Sequence, residues 1–184
     1  MIKNLKSALL LTLILIVMFG VIYPILIYGF GMFFKSNSEG SPVYRDGKIV
    51  GFENIGQKFT DDKYFWGRPS AVDYNASGSG ATNYGPTNSD FLALVQGRID
   101  TFMLKNPGIK KEEIPSELVT ASGSGLDPNI SPTAAYVQVK RISKARNVQE
   151  DKLSELVSEH IERPLLGPPV INVLKLNLDL DQLK

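Results

Sequence analysis

The stretch S-A-L-L-L-T-L-I-L-I-V-M-F-G-V-I-Y-P-I-L-I-Y-G-F-G-M-F-F, Ser7 to Phe34, decides the architecture. Its 28 residues contain no charged side chain and no histidine. A bilayer core about 30 Å thick is spanned by roughly 20 apolar helical residues. Leu9 to Phe34 is long enough to cross with some tilt. The apolar core of a cleaved signal peptide is shorter, about 7–15 residues, and is followed by a small-residue site. Here no alanine lies between Ala8 and Ala71. The run therefore predicts one uncleaved N-terminal transmembrane anchor.

Outside this run the chain is polar. The 184 residues are 43% hydrophobic, and the mean hydropathy is −0.04 because the apolar segment offsets the rest. Two of the 20 bases, Lys3 and Lys6, precede the anchor, which leaves 18 bases against all 19 acids. A near-neutral domain has no field for steering a polyanion, so a nucleic-acid partner is excluded. One span excludes a multi-span transporter. The absence of cysteine excludes disulfides and thiolate metal sites. We divide the chain into a tail and anchor, residues 1–35, and an outer domain, residues 36–184.

The short cationic tail predicts a cytoplasmic N-terminus and an extracytoplasmic domain. Lys35, Arg45 and Lys48 on the far flank weaken that contrast. Pro24 cannot donate to the carbonyl of Gly20, which predicts a kink. Gly20, Pro24 and Gly31 share one helical face, and small residues there permit close approach of a second helix.

In the outer domain, Asp46-Gly47 between short apolar stretches is a hairpin signal. A second extended stretch is expected over Ile55–Phe59. The aromatic cluster Tyr64, Phe65, Trp66 follows. A loop rich in Gly, Ser, Asn and Pro then runs from Gly67 to Asn88. Thr87-Asn88-Ser89-Asp90 has capping-box form with Thr87 as N-cap, and opens a helix to about Lys105. Ser131-Pro132 opens another to about Arg146, and a third is expected over Glu150–Glu162. Leu174, Leu176, Leu178 and Leu180 alternate with polar residues, which predicts a C-terminal strand begun by Val170–Val173. Together these give a mixed α+β domain closed by that strand.

The chemistry is sparse. Ser122 or Ser124 with Asp127 and His160 nominally supplies a triad, but no G-x-S-x-G elbow is present. The segment Ala-Ser-Gly-Ser-Gly occurs at both 76–80 and 121–125. Neither copy is followed by Lys-Ser/Thr, so there is no P-loop. Successive amides in such a loop are able to form an anion-binding nest. One histidine and scattered carboxylates give no metal-ligand spacing. Lys140, Arg141, Lys144 and Arg146 read as a solvated helix face.

Three motifs resemble one family. They are Tyr64-Phe65-Trp66-Gly67-Arg68-Pro69-Ser70-Ala71, Asn83-Tyr84-Gly85-Pro86-Thr87-Asn88, and Leu118 to Pro132 (L-V-T-A-S-G-S-G-L-D-P-N-I-S-P). With the ending Val170–Leu178 and the single span, they resemble the C subunit, KdpC, of the bacterial potassium-transporting ATPase. That resemblance implies a bacterial inner-membrane complex. Its other parts are a channel-like potassium-translocating subunit, a P-type ATPase subunit and a small single-span subunit. Membrane lipid is the remaining partner. The chain carries no D-K-T-G-T or T-V-G-Y-G-type sequence, so an accessory, non-catalytic role is expected.

Two mechanisms follow from the resemblance. In one, the subunit stabilises assembly and caps the outer potassium entry. Tyr64, Phe65, Trp66, Arg68, Asn83 and Tyr84 are then the candidate partner interface, with core packing as the other reading of the aromatics. In the alternative it raises ATP affinity in the ATPase subunit, with transient nucleotide contact at Ser122, Gly123, Ser124, Gly125 and Asp127. The charge argument favours the cap. No firmly bound cofactor is expected, and ATP enters only under the alternative.

Overall fold

A computed structural model of the chain describes residues 2–34 and 39–183. Lys35, and the expected boundary beside it, lie outside the described residues. The chain separates into two compact units, Met1–Pro42 and Val43–Lys184.

The first unit contains one long helix. Asn4–Phe34 is 31 residues of helical chain whose most apolar window has a mean hydropathy of 2.8 and no buried residues. At 1.5 Å per residue this spans about 46 Å, long enough to cross a membrane. It comprises α1 (Ile2–Val17), a π-turn (Met18–Ile22) and α2 (Tyr23–Gly31). The π-turn answers the Pro24 problem. The Tyr23 N–H donates to the Met18 carbonyl, five residues back. The extra residue in the turn sits where Pro24 has no N–H to offer Gly20. Gly20 lies within the π-turn, and Gly31 ends α2.

In the second unit, β1 (Pro42–Arg45) and β2 (Lys48–Phe52) form the expected hairpin. Asp46 and Gly47 both take positive φ, 51° and 73°, as a two-residue turn matched to strand twist requires. Ile55–Phe59 is not a strand. Its backbone bonds run from the Ile55 N–H back to the Phe52 carbonyl at 3.1 Å, a turn, and from the Gly56 N–H to the Leu126 carbonyl at 2.7 Å. Gly56 lies so close to residue 127 that a Cβ there would sit 2.5 Å from the Asp127 carbonyl oxygen.

Helix α3 (Ser89–Lys105) starts one residue later than expected, because Asn88 rather than Thr87 is the N-cap. Asn88 Oδ1 accepts from the amides of Asp90 and Phe91 at 2.9 and 3.0 Å. The strand β3 (Asn129–Ile130) leads into α4 (Pro132–Tyr136), α5 (Val139–Arg146) and α6 (Glu150–Glu159). Ser131 caps α4 as expected, accepting from the Ala134 amide at 3.1 Å. The helix expected to run unbroken to Arg146 is divided at Val137–Gln138. The third helix stops at Glu159, and Glu162 instead bridges to Val170.

The largest correction is at the C-terminus. Strand β4 is only Ile171–Asn172, paired antiparallel with β3, and helix α7 (Val173–Leu180) follows. Two facts override the alternating pattern. Asn172 caps the helix by accepting from the Lys175 amide at 3.1 Å. Val173, Leu176, Asn177 and Leu180 fall on one face at helical spacing, and all four are buried. The domain is thus α+β with two minimal two-stranded sheets, and a helix closes it. Its core gathers Phe65, Phe102, Ile130, Ile142, Leu153, Val157 and Leu176.

Candidate functional site

The Tyr64–Phe65–Trp66 segment has no strand partner, yet it runs through the core. Phe65 is fully buried. Buried backbone polar groups need partners, and here side chains provide them. Asn177 on α7 accepts from the Phe65 N–H and donates to the Phe65 carbonyl, both at 2.9 Å. Gln138 accepts from the Trp66 N–H at 2.8 Å and donates to the Trp66 carbonyl at 3.1 Å. Each amide side chain thus imitates a neighbouring strand.

Arg141 completes the brace. Its guanidinium donates to the Tyr64 carbonyl at 3.0 Å, to Gln138 Oε1 at 2.7 Å and to Asn106 Oδ1 at 3.1 Å. It also donates to the Asp62 carbonyl and lies 4.2 Å from the centre of the Trp66 ring. Burial pulls its pKa down to about 10, so it remains cationic at neutral pH. At the outer end, Asp181 accepts from Arg45, Arg146 and the Tyr64 hydroxyl at 2.9, 2.6 and 3.2 Å. Burial alone would raise the Asp181 pKa, but the bonds from Arg146 and Arg45 outweigh it and hold the carboxyl below its usual range.

The motifs meet next to this brace. Arg68 pairs with Asp127 at 3.0 Å, and the Ser122 amide donates to the Pro69 carbonyl at 3.1 Å. The Tyr74 hydroxyl donates to the Arg68 carbonyl; burial, then the nearby Asp127 charge, pushes its pKa up to about 12. Arg68 Nε is a buried polar atom without a hydrogen-bond partner among the described residues. The two Ala-Ser-Gly-Ser-Gly copies lie side by side. Ser124 O accepts from the Gly80 amide at 2.9 Å and from the Ser79 hydroxyl at 3.1 Å. Gly125 takes φ +69°, and a Cβ there would lie 2.8 Å from the Gly80 carbonyl oxygen. Between this assembly and α3 runs a groove of about 520 Å³, lined in part by Trp66, Arg68, Leu94, Arg98 and Phe102.

The expected site residues therefore divide. Phe65 belongs to the core and presents nothing to a partner. Tyr64 and Trp66 are half-buried against it, the Trp66 ring packing edge-on to Phe102 at 6.2 Å. Arg68 is half-buried, while Asn83 and Tyr84 are exposed. In the 121–127 loop Ser122 and Gly125 are buried, and Gly123 and Ser124 are exposed. The amides of Ser122, Gly125 and Leu126 are already engaged by Pro69 O, Ser122 O and Ser124 Oγ. His160 bonds to the Leu156 carbonyl and to Asp179 at 2.8 and 2.9 Å, away from the nominal triad. No group of three or more metal-ligating side chains occurs among the described residues. Gln138 and Asn177 were not singled out from the sequence, and Arg141, read there as part of a solvated helix face, is instead buried. Their signal was a polar residue on the apolar face of a helix, as with Asn177 among Val173, Leu176 and Leu180.

The family model for the c chain of the K+-transporting ATPase, KdpC, matches residues 5–182. Among curated proteins, the chain is 54% identical to the potassium-transporting ATPase KdpC subunit of Flavobacterium johnsoniae, over 99% of this chain and all of that one. It is 53% identical to that of Flavobacterium psychrophilum, with the same coverage. The Bacteroides thetaiotaomicron KdpC subunit is 47% identical, again over 99% and 100%.

Proposed function

Because the chain belongs to the KdpC family, the c chain of the K+-transporting ATPase, we propose that it is a non-catalytic accessory subunit that holds that complex together. In this reading it joins the channel-like and P-type ATPase subunits and caps the outer potassium entry. The observation that carries the proposal is the braced motif. Buried Gln138, Arg141 and Asn177 fix a scaffold whose outward products are the paired loops at 76–80 and 121–125 with Asn83 and Tyr84 nearby in sequence. Adaptable polar loops on a rigid support suit recognition by a protein partner.

The internal use of the Ser122, Gly125 and Leu126 amides leaves few donors for a phosphate, which favours assembly over nucleotide contact. The apolar helix anchors the chain in the bacterial inner membrane with its N-terminus in the cytoplasm. Its Gly20, Pro24 and Gly31 face meets a helix of a companion subunit, such as the small single-span one. Two measurements test this reading. Omitting the chain should lower recovery of the intact complex from detergent, and a reporter at the C-terminus should be active only outside the cytoplasm. A cytoplasmically active reporter, together with saturable ATP binding to the chain, would sink the cap and support the nucleotide role.

A further inference from the structure

The basic run 140–146 does not act as one face. Arg141 turns inward to brace the aromatic segment. Arg146 is committed to Asp181 and to the Lys63 carbonyl, at 2.6 and 2.7 Å. Lys140 and Lys144 remain exposed one turn apart on α5, and neither makes an ion pair among the described residues. They border a cleft of about 920 Å³ between α5 and the turn that ends α3. Its apolar wall includes Leu104, Pro107, Ile109 and Val137. Leu104 is 78% exposed at the rim. Gly108, at φ +98°, places the turn in ordinary contact with Lys140, a Cβ there lying 3.5 Å from Nζ. The facing acids are Asp62 and Glu150. Asp62 is taken by Lys105 at 2.9 Å, so two ammonium groups face one free carboxylate across an apolar trough.

We propose that this cleft docks a segment of a companion subunit that carries a carboxylate pair beside one or two apolar side chains. The inference rests on the accessory-subunit reading. Charge complementarity selects the acidic end of the occupant, and the apolar wall selects a peptide over a hydrated free anion.

The test uses the full chain produced with its companion subunits, captured in mild detergent through the ATPase subunit. Lys140→Glu with Lys144→Glu should reduce retention of this chain about tenfold or more. Leu104→Ser should reduce it severalfold, and Lys140→Arg with Lys144→Arg should preserve it. Unchanged Trp66 fluorescence shows that each variant is folded. Retention of the charge-reversed chain at the wild-type level overturns the proposal, as does an equal loss from Lys152→Glu outside the cleft. A photo-crosslinking side chain at position 104 should join a companion subunit, and adducts to phospholipid alone overturn it. Those results leave the accessory-subunit reading standing. Failure of the wild-type chain itself to be captured sinks that reading and this one together.

Discussion

Replacing Asn177 by Leu tests the central brace. The two side chains share one branched skeleton of heavy atoms, so the shape is largely kept while both hydrogen bonds to Phe65 are lost. The Phe65 N–H and carbonyl lie in the fully buried part of the domain, with Asn177 itself 2% exposed, so water does not replace the lost partner. An unsatisfied buried polar group costs about 1–3 kcal/mol, so two cost about 2–6. Burial of the leucine side chain returns roughly 1–2 kcal/mol. A net loss of about 3 kcal/mol is a large share of a stability of about 5–15. With a urea slope of about 2 kcal/mol/M, the midpoint should fall by about 1.5 M. Trp66 is the only tryptophan and sits beside the braced residue, so its fluorescence during urea titration of the full chain in micelles reads the change directly. Asn177→Asp should be similarly damaging, because a carboxylate cannot donate to the Phe65 carbonyl. Exposed Gln182→Leu on the same terminal segment should be near neutral. A midpoint unchanged within about 0.3 M in Asn177→Leu would refute the claim that this side chain replaces a strand.

Four further outcomes are expected. Arg141→Lys removes the planar fork that reaches several acceptors at once and should destabilise the domain by about 3 kcal/mol or more, read in the same titration. Trp66→Ala should cost about 3–5 kcal/mol of stability, because the ring packs on Phe102 and Arg141; complex loss without destabilisation would return the ring to a pure interface role. Gly125→Ala, at φ +69° and facing the Gly80 carbonyl, should destabilise by about 2–4 kcal/mol, whereas exposed Gly123→Ala should change stability by less than about 1. Asp181 has a folded pKa below its unfolded value. Its contribution is therefore full above about pH 4 and is lost as pH falls through the folded pKa. Urea midpoints measured against pH should show an acid limb that Asp181→Asn flattens.

Local chemistry was legible at most motifs that act within a few residues, the α3 cap at Asn88 rather than Thr87 being an exception. The Asp46-Gly47 hairpin, the Ser131 cap and the long apolar helix were each readable because their causes are short-range. The C-terminal strand was misread because Leu174, Leu176, Leu178 and Leu180 show period two, while the buried set Val173, Leu176, Asn177, Leu180 follows the helical period. An asparagine inside that set breaks a hydropathy pattern, although it is the residue the core requires. The same blindness hid Gln138 and Arg141. Their partners are backbone groups 72 to 79 positions away, and no local spacing encodes that. The repeated Ala-Ser-Gly-Ser-Gly was visible, but its two copies touch through bonds from Gly80 and Ser79 to the Ser124 carbonyl, a long-range contact that no local spacing encodes.

The brace also sets a schedule for biosynthesis. Phe65 awaits Asn177, 112 residues further along the chain. At about 5–20 residues per second, that delay is on the order of 6–20 s per molecule. The long apolar helix has been made throughout, while the aromatic segment that follows it is still unsheltered. A nascent chain stalled before the last helix leaves Tyr64–Phe65–Trp66 as an open, aggregation-prone stretch for chaperones and proteases to find. Only a full-length subunit presents the ordered loops that partners would recognise.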